Sequence, residues 1–99
     1  MIHNEAGVKA AVKKILKTHG WFVWMPPANA FGKAGIADIH ALKDGVFLAV
    51  ETKFGNNKPS KLQSAFLGAV DQHGGKALVV NEKNLVEFEQ LITSLHDGQ

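Results

Sequence analysis

The sequence predicts an α/β fold: one four-stranded mixed sheet flanked by helices, with a further helix at the C-terminal end. Three observations carry this prediction. Helical and strand-like apolar patterns alternate along the chain, Asp44-Gly45 is a strong hairpin signal between two strands, and Gly74-Gly75 separates a helix from the last strand. With 99 residues and no linker or repeat, the chain is expected to form a single domain, 1–99.

The elements are predicted in the order αβββαβα. Helices are expected at 4–18, 60–73 and 84–95, capped by Asn4, Ser60 and Asn84, and strands at 21–25, 36–42, 46–53 and 76–81. The apolar stripes of the helices are Val8, Val12, Ile15 and Leu16, then Leu62, Phe66 and Ala69, then Leu85, Phe88, Leu91, Ile92 and Leu95. The first three strands form an antiparallel meander, and the fourth follows a helical crossover, so it should lie parallel to the third.

Composition narrows the classes of partner. The formal net charge is +2, and all eleven basic residues are lysines, which suit phosphate contacts but cannot form the bidentate forks that read guanine. The chain has no cysteine, so disulfides and thiolate metal sites are excluded and a cytoplasmic location is expected. Neither a membrane span nor a signal peptide is predicted.

The hairpin brings two acidic residues together. If Asp44 and Gly45 are its two loop residues, the register places Asp38 directly opposite Glu51, with Cβ atoms about 4.5–5.5 Å apart. Two facing carboxylates repel each other, and a divalent cation between them removes the conflict. Because the donors are oxygens, the sequence predicts Mg²⁺ or Mn²⁺.

Lys53 completes the predicted site, because it follows Glu51 by two residues and so shares its face of the strand. Two metal-binding carboxylates beside a lysine are what phosphodiester hydrolysis needs. Thr52 points to the other face, but its backbone carbonyl is a candidate further ligand. The alternative is an ion pair on an exposed face, which is disfavoured because Ile36, Leu42 and Phe47 share that face.

Three short motifs in this order resemble the PD-(D/E)xK nucleases, and most closely their compact VRR-NUC branch, which includes stand-alone phage and bacterial forms. They are Gly35-Ile36-Ala37-Asp38, then Val50-Glu51-Thr52-Lys53, then Ser60-Lys61-Leu62-Gln63. The similarity extends from the helix of Glu5 to Val80, and Ala37 stands where the family often has proline. It implies a restriction-endonuclease-like αβββαβ core.

The resemblance also implies roles for individual residues. Asp38 and Glu51 would bind the metal, Lys53 would be catalytic, Gln63 would support the site, and Glu5 would hold a second metal or its water. Two of these have local alternatives. Ser60 and Gln63 have the spacing of a capping box, and an acidic residue such as Glu5 is favoured in the first turn of any helix.

Other polar and aromatic residues are assigned more simply. His40, near Asp38 on the same face, is expected to be a core histidine with its hydrogen bonds satisfied, with a supporting role at the site as the alternative. Trp21 and Trp24 are expected in the core or an interface. Candidate phosphate-binding lysines are Lys9 and Lys13 on the first helix and Lys33, Lys58 and Lys61 around the site, although ordinary solvation also explains each of them.

The function expected from these residues and this resemblance is a metal-dependent endonuclease that cuts branched DNA such as four-way junctions. It would act as a homodimer in the cytoplasm of a bacterial or phage-infected cell. The alternatives are a nuclease for flap or nicked DNA or for RNA, and a DNA-binding module with the same fold that does not cleave.

Overall fold

The structure is a computed structural model that describes residues 1–27, 32 and 34–97. Its elements are α1 (Glu5–Thr18), β1 (Phe22–Trp24), β2 (Ile39–Lys43), β3 (Val46–Thr52), α2 (Lys61–Gln72), β4 (Lys76–Val80) and α3 (Leu85–Asp97). The four strands form one sheet in the order β1-β2-β3-β4, in which β1, β2 and β3 are antiparallel neighbours and β4 is parallel to β3. The predicted fold class, element order and mixed sheet are therefore confirmed.

The helices cover the two faces of the sheet unequally. Helices α1 and α3 pack on one face, where Leu48 and Val50 of β3 are fully buried against a core that includes Val12 and Ile92. Helix α2 packs on the other face through Leu67, in a smaller cluster with Ala49. Because side chains alternate along a strand, Glu51 lies on the same face as Ala49, toward α2.

Strand β2 starts three residues later than predicted, at Ile39 rather than at position 36. The cause is the segment before it. Gly35 has a φ of +81°, and a Cβ built on it would lie 2.6 Å from the carbonyl carbon of Leu62, so the chain turns there against the backbone of α2. Asp38 then contacts β3 with its side chain, as described below, and the paired strand begins only after it.

Two predicted apolar stripes are partly wrong. In α2, Leu62 is 60% exposed and Ala69 is exposed, because the helix rests on the sheet with the adjacent face that carries Phe66, Leu67 and Val70. In α3, Phe88 and Ile92 are buried as expected, but Leu91 is 37% exposed, since it lies at the edge of the helix face that contacts the sheet. The predicted stripe of α1 is confirmed.

The helix starts follow the predicted caps, with one difference. Asn4 accepts from the backbone N–H of Gly7 at the start of α1, and Ser60 caps α2. Asn84 precedes α3, but its side chain accepts from the N–H of Asn81 and donates to the carbonyl of Val79. It therefore anchors the turn between β4 and α3. Within the described part of the chain, no helix is long and apolar enough to cross a membrane.

The contact between Gly35 and α2 predicts a specific loss of stability. Gly35→Ala should lower the free energy of unfolding by about 2 kcal/mol or more, because a positive φ and a backbone clash both oppose the new Cβ. Gly45→Ala is the matched control, since Gly45 has the same φ of +81° but nothing within 4 Å of the built Cβ. Urea denaturation should show a clearly smaller loss for Gly45→Ala, and equal losses would contradict the close contact.

Candidate active site

The predicted hairpin register is confirmed from Lys43↔Val46 to Ile39↔Val50, and its continuation places Asp38 opposite Glu51. Asp38 lies one residue before β2 and fixes its carboxylate on β3. Its Oδ2 accepts from the backbone N–H of Thr52 at 3.1 Å and from the Thr52 hydroxyl at 2.8 Å. One carboxylate oxygen is thus held by the strand, and the other is left for the site.

This contact changes the end of the β2–β3 ladder. Ile39 and Val50 face each other, and the alternation of antiparallel pairs would next join Ala37 to Thr52 through backbone hydrogen bonds. The Asp38 carboxylate takes the Thr52 N–H instead. The N–H and C=O of one residue point to the same side of a strand, so the Thr52 carbonyl points to the side on which Asp38 lies. Its role as a metal ligand stays a prediction, which this arrangement favours.

Glu51 is an ionisable side chain buried in the sheet, with 1% of its surface exposed. Its Oε1 has no hydrogen-bond partner among the described residues, and its Oε2 lies 3.5 Å from the Nζ of Lys53. Burial, reinforced by the negative charge of Asp38, raises the pKa of Glu51 to about 7, although Lys53 acts in the opposite direction. A buried carboxylate with a free oxygen beside a second carboxylate is an arrangement typical of a functional site.

The donor set fits a hard divalent cation. Asp38 and Glu51 offer carboxylate oxygens. The Oε1 of Glu51 is buried without a hydrogen-bond partner among the described residues, and the side chain of Asp38 is 21% exposed. In the described part of the chain, no group of three or more His, Asp or Glu side chains is placed to hold a metal ion, and the role expected of Glu5 stays a prediction. Two carboxylates are enough for Mg²⁺, which keeps several waters and completes its shell with substrate phosphates.

A cavity of about 380 Å³ opens beside Asp38. The segment 35–37 forms part of its wall together with Met25 and Pro26, and two polar side chains, Lys9 and Gln63, also line it. Lys9 reaches from α1, and its Nζ lies 4.0 Å from Oδ1 of Asp38. The cavity therefore brings a second cationic side chain to Asp38, whereas the sequence pattern shows Lys9 only in a stripe of lysines on α1, with Lys13 and Lys17.

Gln63 forms the predicted capping box and also lies beside the candidate site. Its Oε1 accepts from the N–H of Ser60 at 2.8 Å, and its own N–H donates to the Ser60 hydroxyl at 3.1 Å, so the capping box is confirmed. The same side chain lines the cavity beside Asp38. Its support of the site stays a prediction, with the capping box as the device that holds it there.

The two tryptophans and His40 lie in the core or next to it. Trp21 is buried in the core, and Trp24 is half-buried against the ring of His40. His40 is a core residue stacked on Phe66 at 5.7 Å, and burial lowers its pKa. The expectation of satisfied hydrogen bonds is wrong for its Nε2, which has no partner within the described residues, because aromatic rings surround it.

The candidate phosphate-binding lysines are spread around the site. Lys58 and Lys61 are exposed on the loop after Lys53 and at the start of α2. Lys13 is half-buried on α1, one turn beyond Lys9. The prediction for Lys33 lies outside the described residues.

Sequence reasoning missed one residue that supports the site. Glu82, between β4 and α3, accepts from the N–H of Gly55 with both carboxylate oxygens, at 3.0 and 3.2 Å, and this hydrogen bond lowers the pKa of Glu82. Gly55 follows Lys53 by two residues, so Glu82 fixes the loop that leaves the site. No local sequence pattern predicts this contact, because it joins residues 27 positions apart.

The buried state of Glu51 predicts a pH dependence of stability. Its pKa in the folded protein, about 7, lies above the ordinary 4.5, so folding favours the neutral acid and its contribution is lost as the pH rises through 7. Between pH 4.5 and 8, metal-free wild type should lose about 3 kcal/mol relative to Glu51→Gln. Urea titrations in chelator measure this difference. Glu87→Gln, at an exposed position, is the control, and parallel curves for wild type and Glu51→Gln would contradict the burial.

Comparison with known proteins adds no family assignment. No model of a known protein family matches the chain, and no curated protein matches it at a significant level. Its function therefore has to be inferred from the motifs and the geometry of the site.

Proposed function

We propose that this protein is a metal-dependent endonuclease that hydrolyses phosphodiester bonds in DNA. The observation that carries the proposal is the position of Glu51: a buried carboxylate with a free oxygen, beside Asp38 on one side and the Lys53 ammonium on the other. Such a group destabilises the folded protein unless a ligand compensates it, so it is expected where function requires it.

Each residue of the site would have its own role in hydrolysis. A divalent cation held by Asp38 and Glu51, Mg²⁺ or Mn²⁺, would polarise the phosphate and lower the pKa of a bound water. Thr52 holds one oxygen of Asp38, which leaves the other directed toward the site. Lys53, with 15% of its side chain exposed, is placed to orient the attacking water or to donate to the negative charge that develops on the phosphate.

DNA is the substrate that the surrounding surface supports. The cationic side chains near the site are lysines, which bind phosphates as point charges and read no base sequence by bidentate contacts. Recognition by backbone and shape follows, and branched DNA such as a four-way junction is the target that the motif resemblance favours. A DNA-binding module that does not cleave has no use for two carboxylates facing a phosphate. We place the activity in the cytoplasm of a bacterial or phage-infected cell.

A substrate panel tests this function. Labelled four-way junctions, flaps, nicked and intact duplexes, single strands and RNA are incubated with Mg²⁺, Mn²⁺ or chelator. Cleavage of four-way junctions with metal, and none in chelator, is the expected result. Preferential cleavage of flaps, nicks or RNA would change the substrate but keep the activity. Binding without cleavage of any substrate would overturn the nuclease assignment.

Replacement of the acidic pair separates cleavage from binding. Asp38→Asn and Glu51→Gln should each abolish cleavage while the protein stays folded and still binds DNA, because both changes preserve shape and remove a negative charge. Asp71→Asn and Glu87→Gln make the same changes at exposed positions and should cleave normally. Product formation is followed on denaturing gels, with binding measured by fluorescence anisotropy. Normal cleavage by Glu51→Gln would refute the metal-binding assignment.

We further propose that the protein acts as a symmetric homodimer. One chain carries one acidic pair, whereas paired cuts across a junction need two, and a two-fold dimer supplies both. Strand β1 supports this arrangement. It lies at the sheet edge with Phe22 68% exposed, next to Leu42, which is 41% exposed. A second copy is one way to cover this apolar surface.

Light scattering after size exclusion decides the assembly. Wild type should elute with about twice the 10.7 kDa mass of one chain. Phe22→Ser should shift the mass toward one chain if β1 forms the interface, because it removes the most exposed aromatic group of that edge. Leu62→Ser, which changes a similarly exposed apolar residue on α2, is the control and should remain dimeric. A wild-type mass of one chain, with and without DNA, would exclude the dimer.

A further inference from the structure

Lys9 is held beside the acidic pair by the packing of α1. Asn4 fixes the start of the helix, and the neighbouring Val8 is fully buried, so the rotation of the helix about its axis is set. Lys9 therefore projects into the cavity that Asp38 lines, with its Nζ 4.0 Å from Oδ1 of Asp38. Its side chain is 34% exposed, so the ammonium remains accessible to a ligand entering the cavity.

The four charged side chains of the site form two pairs of opposite charge. Asp38 has its Oδ2 on Thr52 and its Oδ1 near the Lys9 ammonium, while Glu51 has its Oε2 near the Lys53 ammonium. Each carboxylate thus has its own lysine, and the two positive charges approach the acidic pair from different parts of the chain. A divalent cation and Lys9 would compete for the same oxygen of Asp38.

We propose that Lys9 is a second cationic residue of the active site, which neutralises Asp38 before metal is bound and contacts the phosphodiester in the cavity afterwards. This inference rests on the proposed nuclease function. Once a metal ion binds Asp38, the Lys9 ammonium is available to a phosphate that enters the cavity. The scissile phosphate would then be contacted from two sides, by Lys53 just after β3 and by Lys9 of α1.

The first half of the proposal is tested by Mn²⁺ binding to the DNA-free protein, measured as loss of the free Mn²⁺ signal in electron paramagnetic resonance. Lys9→Met keeps the aliphatic stem and removes the competing charge, so it should bind Mn²⁺ about threefold more tightly or better. Lys9→Arg restores the charge and should return the wild-type affinity. Lys14→Met removes an exposed charge from the same helix and should leave the affinity unchanged.

The second half is tested by cleavage at saturating DNA and metal. Lys9→Met should lower turnover by about tenfold or more, and Lys9→Arg should recover most of it. Lys13→Met, one turn further along the stripe, should instead raise KM through weaker DNA binding. An unchanged Mn²⁺ affinity or an unchanged turnover in Lys9→Met overturns the proposal and leaves the nuclease function standing. A wild-type protein that neither binds Mn²⁺ nor cuts DNA overturns both.

Discussion

The register of the β2–β3 hairpin is the constraint on which the site depends. Asp44 and Gly45 have φ values of +51° and +81°, the left-handed pair that a two-residue type I′ turn requires, and this turn fixes every pair up to Ile39↔Val50. A slip of one residue would turn Glu51 and Lys53 to the opposite face, toward α1 and α3. The chemistry of the site is thus set by a turn at the far end of the hairpin.

The same hairpin shows how the protein keeps two carboxylates close together. Asp38 stands outside the strand, and the Thr52 hydroxyl and N–H both donate to one of its carboxylate oxygens. Glu51 lies inside the strand beside the Lys53 ammonium, and its burial together with the charge of Asp38 raises its pKa. The two carboxylates of one site therefore have different environments: that of Asp38 is held by donors of β3 and stays partly exposed, and that of Glu51 is buried.

Sequence patterns predicted the elements, the register and the Asp38–Glu51–Lys53 group, because each depends on short-range rules: alternation, caps and turn residues. They failed where a contact joins distant segments. The late start of β2 depends on Gly35 packing against α2, and the brace from Glu82 to Gly55 depends on the β4–α3 turn. The position of Lys9 at Asp38 likewise depends on how α1 sits on the sheet, which its lysine stripe alone does not show.

The residues of the candidate site come from the sheet and from two helices. The two acids and Lys53 come from or beside strand β3, whose residues from Leu48 to Thr52 are buried and paired with β4, and from Leu48 to Val50 with β2 as well. Lys9 and Gln63 come from helices on opposite faces of the sheet, and both reach the same cavity. The sheet thus fixes the acidic centre, while the two helices shape the cavity beside it, where the proposed function would place a phosphate. Under the proposed function, a substrate would be selected by whether its backbone can enter between α1 and α2, which would favour recognition of DNA shape over base sequence.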